Sequence, residues 1–542
     1  MGEMGCELTA LLVIFGSSFA LCLLLTPLAR AFSDRFGPVD QPDGRRKIHG
    51  KPTPLAGGGA VLLSLIGGLA VSLVGPGPAQ GWFAEQGLFL PGLLLASLVI
   101  VIVGLVDDFR GLRWRHKLFG QLIAIGVVIA SGLAVRSVRL FDWQVELGVM
   151  AVPFTIFWLL GTINSLNLLD GMDGLLSSVA LIICLALAAM AVFVGQDAAA
   201  CVAVALAGAL FGFLRYNFPP ATIFLGDSGS MLIGLVVGAL ALRGSLKGPA
   251  TVALVAPVAM LIIPVFDTAA AVVRRKLTGR SLYVADRGHL HHCLLGRGFS
   301  TRRALFWISI SCLCTAVGAL TSVAFSNELF AVLTASAVVG IYIITRVFGF
   351  AELMLLKNHL MTGMVSLLQL PSNGHAHGTE IRLQGSAAWG ELWSKLTECA
   401  GELNLKMIRL DVNVPAIYEG YHAMWHYPDG NGSEESDVWR AEIPLTVKGQ
   451  AAGRLEVVGK RGLEPVWAKI ATLMKFAESF EAEVATLSSG RDQSACAKSS
   501  AVALRDKVRD GQHNGRDSGI TVVGQLSNLP PHANGQAPMR SV

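Results

Sequence analysis

Two adjacent carboxylates, Asp107 and Asp108, stand directly after a long apolar stretch. At the C-terminus of a helix they would repel each other and the helix dipole, at a cost of about 0.3–1 kcal/mol unless a cation compensates them. The pair therefore predicts either carboxylates that take part in chemistry or a polar stop at the level of the lipid headgroups.

A second run, "NSLNLLDGMDGL", concentrates amides and carboxylates within a few residues. Asn164, Asn167 and Asp170 step by three and would share one face of a helix, and Asp173 follows beyond a glycine. A capping turn would need only one such residue, whereas several side-chain oxygens beside glycines resemble a cradle for a hard cation or a phosphate. The run favours a ligand-binding site.

Two further acids stand next to or within apolar stretches. Asp227, in "FLGDSGSMLIG", precedes one such stretch, where it could be a helix N-cap. Asp267 lies about two turns inside another, where an acid is either functional or bonded to a neighbouring helix. Carboxylates gathered on one membrane face would repel unless a divalent ion neutralised them, and magnesium prefers oxygen ligands. The sequence therefore predicts a magnesium site.

The segment "DRGHLHHCLLGRG" joins three histidines to arginines: His289, His291 and His292 beside Arg287 and Arg297. A zinc site would need cysteines or carboxylates at zinc-ligand spacing, and none completes it. Contacts from cations and hydrogen-bond donors to a nucleotide diphosphate suit the group better. Anchoring at the membrane interface would account for the arginines but leaves the histidines unexplained.

The elements that must position these residues are membrane helices. The chain has 542 residues, of which 53% are hydrophobic and 15% charged, and its mean hydropathy is +0.56. A soluble protein would be nearer a quarter charged, so a bilayer is the expected surrounding of much of the chain. The net charge of +5 is concentrated in a few short loops, which indicates membrane topology rather than a nucleic-acid partner.

Apolar stretches long enough to cross a bilayer recur up to about residue 350, and they predict an all-α polytopic protein of about eleven transmembrane helices. Odd-numbered loops carry most of the lysine and arginine, which places them in the cytoplasm and the N-terminus outside. The acidic motifs fall on the same cytoplasmic side. The predicted spans are 7–30, 55–75, 87–106, 118–137, 147–168, 174–194, 198–216, 228–244, 250–273, 304–324 and 329–350.

These motifs resemble a known family over about residues 1–350. The segments "VGLVDDFRGL", "NSLNLLDGMDGL", "FLGDSGSMLIG" and "PVFDTAAAVVRRKLTGRSLYVADRGHLHHCLLGRG", with the early "RKIHGKPTPLAGG", are similar to those of the polyprenyl-phosphate N-acetylhexosamine-1-phosphate transferases, the MraY/WecA superfamily. The resemblance implies a bacterial inner-membrane enzyme that forms a sugar-diphosphate-polyprenol and releases UMP. It implies a UDP-N-acetylhexosamine donor, a polyprenyl phosphate acceptor and Mg²⁺; a homodimer is one arrangement that the pattern allows.

The resemblance also implies a role for four of the candidate residues. Asp107 and Asp108 stand where the family has its catalytic pair, and Asn167 and Asp227 stand where it coordinates magnesium. Candidates for catalysis also include Asp170 and Asp173. The remaining candidates, expected to bind substrate, are Asn164, Asp267, Arg287, His289, His291 and His292.

The His-Leu-His-His form of the histidine segment resembles the WecA-like branch, which uses UDP-N-acetylglucosamine or a relative. The phospho-N-acetylmuramoyl-pentapeptide transferases of peptidoglycan synthesis typically have an uninterrupted histidine triplet, so that role is the less favoured alternative. Two alternative functions from other classes of membrane protein are a secondary transporter and a non-catalytic scaffold. Transporters often show inverted repeats and coupling residues at depth, but the sequence shows no such repeat and only Asp267 lies deep.

The last third of the chain has ordinary mixed composition. Residues 375–487 predict a cytoplasmic α+β accessory domain with helices at "SAAWGELWSKLTECAGEL" and "EPVWAKIATLMKFAESFEAEVATL" and four strands between them. Residues 488–542, rich in serine, glycine and asparagine, predict a disordered tail.

Overall fold

The protein is described by a computed structural model that covers residues 2–37, 39–40, 53–74, 79–84, 87–141, 143–243, 246–248, 251–278, 288–367, 377–384, 389–414, 419–426, 438–447, 450–460 and a discontinuous set of residues from 465 to 482. Arg287, the tail at 488–542 and part of the helix predicted at 464–487 lie outside these residues.

Within the described chain, eight helices are long and apolar enough to cross a membrane. The chain is therefore a polytopic helical membrane protein, as predicted. These helices are α1 (Gly2–Phe36), α2 (Gly57–Val74), α4 (Phe89–Arg110), α6 (Ala151–Leu169), α7 (Leu175–Phe193), α8 (Asp197–Asn217), α9 (Gly226–Arg243) and α13 (Thr301–Ala324), with a short α3 (Ala79–Ala84) between α2 and α4.

The predicted count of eleven spans is not confirmed, because three predicted spans correspond to shorter helices. The span expected at 250–273 is broken into α10 (Val255–Met260) and α11 (Ile262–Leu277). Pro264 has no N–H to donate to the carbonyl of Met260, which explains why α10 ends there. The other two are α5 (Trp114–Ala130) and α14 (Leu329–Ile344).

Helix α9 is buried along nearly its whole length and packs against both α4 and α6. Glycines allow the close approach. A Cβ atom on Gly104 would lie 2.3 Å from the Cα of Ser228, and one on Gly234 would lie 2.5 Å from the Cα of Ile163. Such small-residue contacts are typical of helix packing in membranes. They bring the polar ends of α4 and α6 to the N-terminus of α9.

A two-stranded pair, β1 (Val39–Asp40) and β2 (Thr53–Pro54), precedes α2. A four-stranded mixed sheet, which the sequence did not predict, is formed by strands that follow the C-terminal ends of α5 and α9. Its strands are β3 (Ser137–Leu140), β4 (Trp143–Glu146), β5 (Leu246–Gly248) and β6 (Thr251–Ala253). They are ordered β4-β3-β6-β5, with β3 and β6 parallel.

Helix α12 (Leu290–Gly296) lies between α11 and α13 and carries two of the three histidines of the histidine segment.

The C-terminal region follows α15 (Phe350–Leu367) and contains a sheet of five antiparallel strands. The strands are β7 (His377–Gln384), β8 (Leu405–Val414), β9 (Glu419–His426), β10 (Val438–Val447) and β11 (Gln450–Lys460). They are ordered β10-β11-β8-β9-β7, and α16 (Trp389–Glu402) packs on the sheet. Helix α16 and four of the strands lie where the sequence predicts them, whereas β7 was not predicted.

Candidate active site

The carboxylate pair lies at the C-terminal end of α4. Asp107 Oδ1 accepts a hydrogen bond from the backbone N–H of Leu112 at 2.6 Å. Gly111 ends the helix with a φ of 63°, a conformation that a glycine adopts without strain. The turn leaves Oδ2 of Asp107 directed at the N-terminus of α5.

Asp108 binds the first turn of α9. Its two oxygens accept hydrogen bonds from the backbone N–H groups of Asp227 at 2.8 Å and Ser228 at 3.2 Å. A Cβ atom on Gly226 would lie 2.5 Å from Asp108 Oδ2, so the contact requires glycine there. The carboxylate is stabilised by the positive end of the α9 dipole.

Lys117, which sequence reasoning missed, lies between the acidic residues. Its Nζ is 3.1 Å from Asp107 Oδ2 and 2.8 Å from Asp227 Oδ2, and it donates to Asn167 Oδ1 at 3.5 Å. One signal could have identified it: a lysine in the first turn of an apolar helix is opposed by the helix dipole, so it needs a reason to be there.

Asn167, at the end of α6, completes the contact with α9. Its amide donates to Asp227 Oδ1 at 2.5 Å and to Ser230 Oγ at 2.8 Å. The structure thus brings together Asp107, Asp108, Asn167 and Asp227, which lie at the ends of three different helices.

The donor set at this point fits a hard cation. Oxygens of Asp107, Asp227 and Asn167 converge on one positive centre, which is the ammonium of Lys117. Among the described residues, no group of three or more acidic, histidine or cysteine side chains forms a complete metal centre. A magnesium-type site takes one or two carboxylates and leaves its other positions to water and substrate phosphates. The carboxylate of Asp227 and the amide oxygen of Asn167 are suitable ligands for such a site.

Asp170 and Asp173 follow α6 in the same motif. Burial, together with the negative charges of Asp227, Asp108 and Asp173, raises the pKa of Asp170 to about 8. Asp173 Oδ2 accepts a hydrogen bond from the backbone N–H of Ala221 at 2.9 Å, which ties this loop to the segment before α9. The burial and the surrounding negative charge therefore oppose the ionisation of Asp170, and Asp173 holds the loop.

Asn164 lies one turn before Asn167 and pairs with Gln121 of α5. The two amides exchange hydrogen bonds of 3.2 and 3.4 Å. The pair joins α5 to α6 one turn beyond Lys117, so in this structure Asn164 supports the position of that lysine.

Asp267 and the histidines form a second group. Asp267 is buried; its Oδ2 lies 3.1 Å from His289 Nδ1, and its Oδ1 accepts the N–H of Leu290 at 2.9 Å. The ring of His291 stacks 6.1 Å from that of His289, and its centroid is 4.2 Å from that of His292. The acid therefore fixes the start of α12 and the orientation of its histidines.

His291 connects the two groups. It lies so close to Gly171 of the amide-rich motif that a Cβ atom there would be 2.6 Å from His291 Nε2. Burial, together with the neighbouring His292 and His289, lowers the pKa of His291 well below its ordinary value. Within the described part of the chain both ring nitrogens are buried and neither has a hydrogen-bond partner.

Comparison with known proteins identifies the family. The sequence profile described as Glycosyl transferase family 4 matches residues 90–245. The chain is 32% identical over 300 residues to the probable undecaprenyl-phosphate N-acetylglucosaminyl 1-phosphate transferase of Bacillus subtilis, which covers 55% of this chain and 81% of that protein.

Two further relatives are also 32% identical. One is the decaprenyl-phosphate N-acetylglucosaminephosphotransferase of Mycolicibacterium smegmatis, aligned over 63% of this chain and 89% of the relative. The other is the phospho-N-acetylmuramoyl-pentapeptide-transferase of Thermoanaerobacter sp., with 55% and 93% covered. The chain therefore belongs to glycosyl transferase family 4, as one of the WecA/MraY-like polyprenyl-phosphate hexosamine-1-phosphate transferases that its motifs resemble.

Proposed function

We propose that the protein transfers N-acetylglucosamine-1-phosphate from UDP-N-acetylglucosamine to a polyprenyl phosphate such as undecaprenyl phosphate, releases UMP and so starts a lipid-linked glycan. The observation that carries this proposal is the convergence of Asp107, Asp227 and Asn167 on Lys117 at the adjoining ends of α4, α5, α6 and α9. The names of the relatives from Bacillus and Mycolicibacterium support the sugar and the lipid.

The reaction is a displacement at phosphorus. An oxygen of the polyprenyl phosphate attacks the sugar-bearing phosphorus of the donor, and the bond to UMP breaks. Asp107 binds the lipid phosphate or accepts its remaining proton, which has a pKa near about 6. Asp107 suits this role better than Asp108, because both oxygens of Asp108 already accept backbone hydrogen bonds from α9.

The same contacts favour direct displacement over a two-step route through an aspartyl-phosphate. To act as a nucleophile, an Asp108 oxygen would have to lose a backbone hydrogen bond from Asp227 or Ser228. Each such charge-assisted bond stabilises the carboxylate by roughly 1.5–3 kcal/mol.

The negative charge of the donor diphosphate would be balanced by a magnesium ion and by the ammonium group of Lys117. Asp227 and Asn167 would hold a magnesium ion, which when bound neutralises charge on the diphosphate. Lys117 binds a diphosphate oxygen from the adjacent position. His289, His291, His292 and Arg287 bind the nucleotide end of the donor, with Asp267 orienting His289.

We place the site at the cytoplasmic face of a bacterial inner membrane. Helices α5, α10 with α11, and α14 would complete eleven crossings, an odd number that puts the C-terminal sheet on the same face as the loop after α11. Direct contacts between that sheet and the end of α11 support this arrangement.

The test is to incubate the purified protein with undecaprenyl phosphate, magnesium and a panel of UDP-sugars and to measure UMP release. We expect turnover with UDP-N-acetylglucosamine that a chelator abolishes and magnesium restores. Turnover only with UDP-N-acetylmuramoyl-pentapeptide would assign the alternative role in peptidoglycan synthesis, and no turnover with any donor would contradict the proposal.

The variant Asp107→Asn removes the charge but keeps the side-chain volume, and we expect it to abolish most of the UMP release. Asp34→Asn is the matched control, because Asp34 is an exposed acid of α1 whose partner is Arg30. Normal turnover in Asp107→Asn would exclude Asp107 from the reaction.

A further inference from the structure

The polar face of the C-terminal sheet carries a row of paired charges across its three central strands. Asp411 of β8 lies directly opposite Arg454 of β11 and His422 of β9 in the strand register. Its oxygens are 3.1 Å from Arg454 Nε and 2.5 Å from His422 Nδ1. Arg409, two residues away on the same face, places its Nε 3.2 Å from Asp411 Oδ2.

The row is built around a buried acid. Burial alone would raise the pKa of Asp411, but the hydrogen bond with His422 and the charges of Arg409 and Arg454 hold it below its ordinary value. The carboxylate therefore fixes the orientation of both guanidinium groups, each of which still has donors to spare.

The spare donors bind the end of α11. Arg409 donates from Nη2 to the carbonyl of Leu277 at 2.8 Å, and Arg454 donates from Nη2 to the carbonyl of Thr278 at 2.9 Å. The last carbonyls of a helix have no partner within the helix, and the negative end of its dipole favours cations. Two arginines on one sheet thus cap this helix.

Further contacts join α11 to α15 and to the residues before it. Arg274 is buried and forms an ion pair with Glu352 of α15, the helix that leads into the sheet. Phe266 packs edge-to-face against Phe348, with ring centroids 5.3 Å apart. Gly288 packs on the guanidinium of Arg274 so closely that any side chain there would collide with it.

Helix α11 joins these contacts to the histidine group. Asp267, which holds His289 and the start of α12, lies ten residues before Leu277, a distance of about 15 Å along the helix. One continuous helix therefore carries both the capped carbonyl of Leu277 and the acid that orients the histidines. The 279–287 segment directly follows the capped carbonyls.

We propose that Arg409 and Arg454 are positioning residues: through their caps on α11, the C-terminal sheet fixes the histidine segment that binds the donor nucleotide. The kinetic part of this proposal rests on the proposed function. The structural part does not, because it concerns only the order of α11 and α12.

The experiment compares the full-length protein with the double variant Arg409→Ala/Arg454→Ala and with Arg440→Ala. Arg440 is an exposed arginine on the same face of β10, and no described contact joins it to α11, so it controls for loss of charge from the sheet. Amide hydrogen exchange is measured over residues 262–278 and 288–296, and UMP release is measured as a function of UDP-N-acetylglucosamine concentration.

We expect the double variant to exchange faster in both segments and to show a KM for the donor raised by about fivefold or more, with kcat changed less than twofold. Arg440→Ala should match the wild type. Unchanged exchange in the double variant, or equal changes in the double variant and the control, would overturn the proposal; so would a fall in kcat at constant KM.

Should the double variant fail to fold, Arg454→Gln keeps an amide donor at the level of Nε for Asp411 but is too short to reach the carbonyl of Thr278, and the same exchange measurement decides. An inactive wild type would contradict the proposed function, and the exchange comparison would still decide whether the arginines hold α11 and α12.

Discussion

Lys117 is the residue whose role differs most from what its local sequence suggests. It neutralises Asp107 and Asp227 at 3.1 and 2.8 Å, and it occupies the position where negative donor phosphates would enter. Substituting Lys117 by methionine removes the charge while keeping a long side chain. We expect UMP release to fall about 100-fold, the usual effect of removing one charge-stabilising donor from an active site.

The matched control is Arg115→Met, because Arg115 is an exposed cation in the same helical turn whose guanidinium lies over Trp114. Equal activity losses in Lys117→Met and Arg115→Met would show that only the general positive charge of this turn matters.

Asp170 predicts a pH dependence of stability in the metal-free protein. Its pKa is raised to about 8 from an ordinary 3.8, so between these values the folded protein holds a proton that the unfolded chain releases. Stability contributed by this group is therefore present at low pH and lost as the pH rises through about 8. We expect the Tm of chelator-treated protein to fall between pH 6 and 9, and to fall less in Asp170→Asn.

Magnesium should reverse the trend, since it binds the deprotonated site and stabilises the protein more at pH 9 than at pH 6. An Asp170→Asn variant with the same pH profile as the wild type would show that this carboxyl does not carry the effect.

At the scale of single residues, the sequence indicated the acids and amides because their types and spacing have few structural explanations. Lys117 was not identified from the sequence, because two of its three partners, Asp227 and Asn167, lie far from it in the chain. Asp108 shows the opposite case. Its position in the chain could be predicted, but its hydrogen bonds to the first turn of α9 depend on how α4 packs against α9.

At the scale of the elements, the site depends on the close contact of α4 with α9. Gly104→Ala would place a Cβ atom 2.3 Å from the backbone of Ser228, whose N–H binds Asp108. We expect a loss of about 1–3 kcal/mol of stability from overpacking, measured as a lower Tm in detergent, together with reduced UMP release.

Gly126→Ala in α5 is the control for this substitution, because a Cβ atom there meets nothing within 4 Å. The Gly126 variant should be as stable as the wild type or slightly more so, since alanine favours a helix. A Gly104→Ala protein with wild-type Tm and activity would mean that the two helices can separate without disturbing the site.

Helices and strands could be predicted where a single periodicity of apolar residues dominated the sequence. The long apolar helices and the alternating strands of the C-terminal sheet lie where the sequence placed them. The mixed sheet of β3 to β6 could not be predicted, because its strands have only three or four residues each and pair across more than a hundred residues. The break between α10 and α11 carries a local signal, Pro264, but apolar composition alone does not show it.

At the scale of the whole molecule, the arrangement predicts which surfaces face which compartment. The acidic cluster lies at the N-terminal end of α5, while the β3–β4 hairpin follows its C-terminal end. The helix has 17 residues, so the two ends are about 25 Å apart, close to the thickness of a hydrocarbon core. The C-terminal sheet contacts the end of α11, which leads into the histidine segment, and the site and the sheet therefore share one face.

Two exposed tryptophans test this arrangement in cells. Trp143 in the hairpin is 78% exposed and Trp467 in the C-terminal region is 73% exposed, so a cysteine at either position is comparably accessible once a reagent reaches its side of the membrane. In a background without the native cysteines, we expect a membrane-impermeant maleimide to label Trp143→Cys in spheroplasts and Trp467→Cys only after the membrane is permeabilised. Labelling of both positions from outside would contradict the proposed cytoplasmic placement of the sheet and of the active site on its side of the membrane.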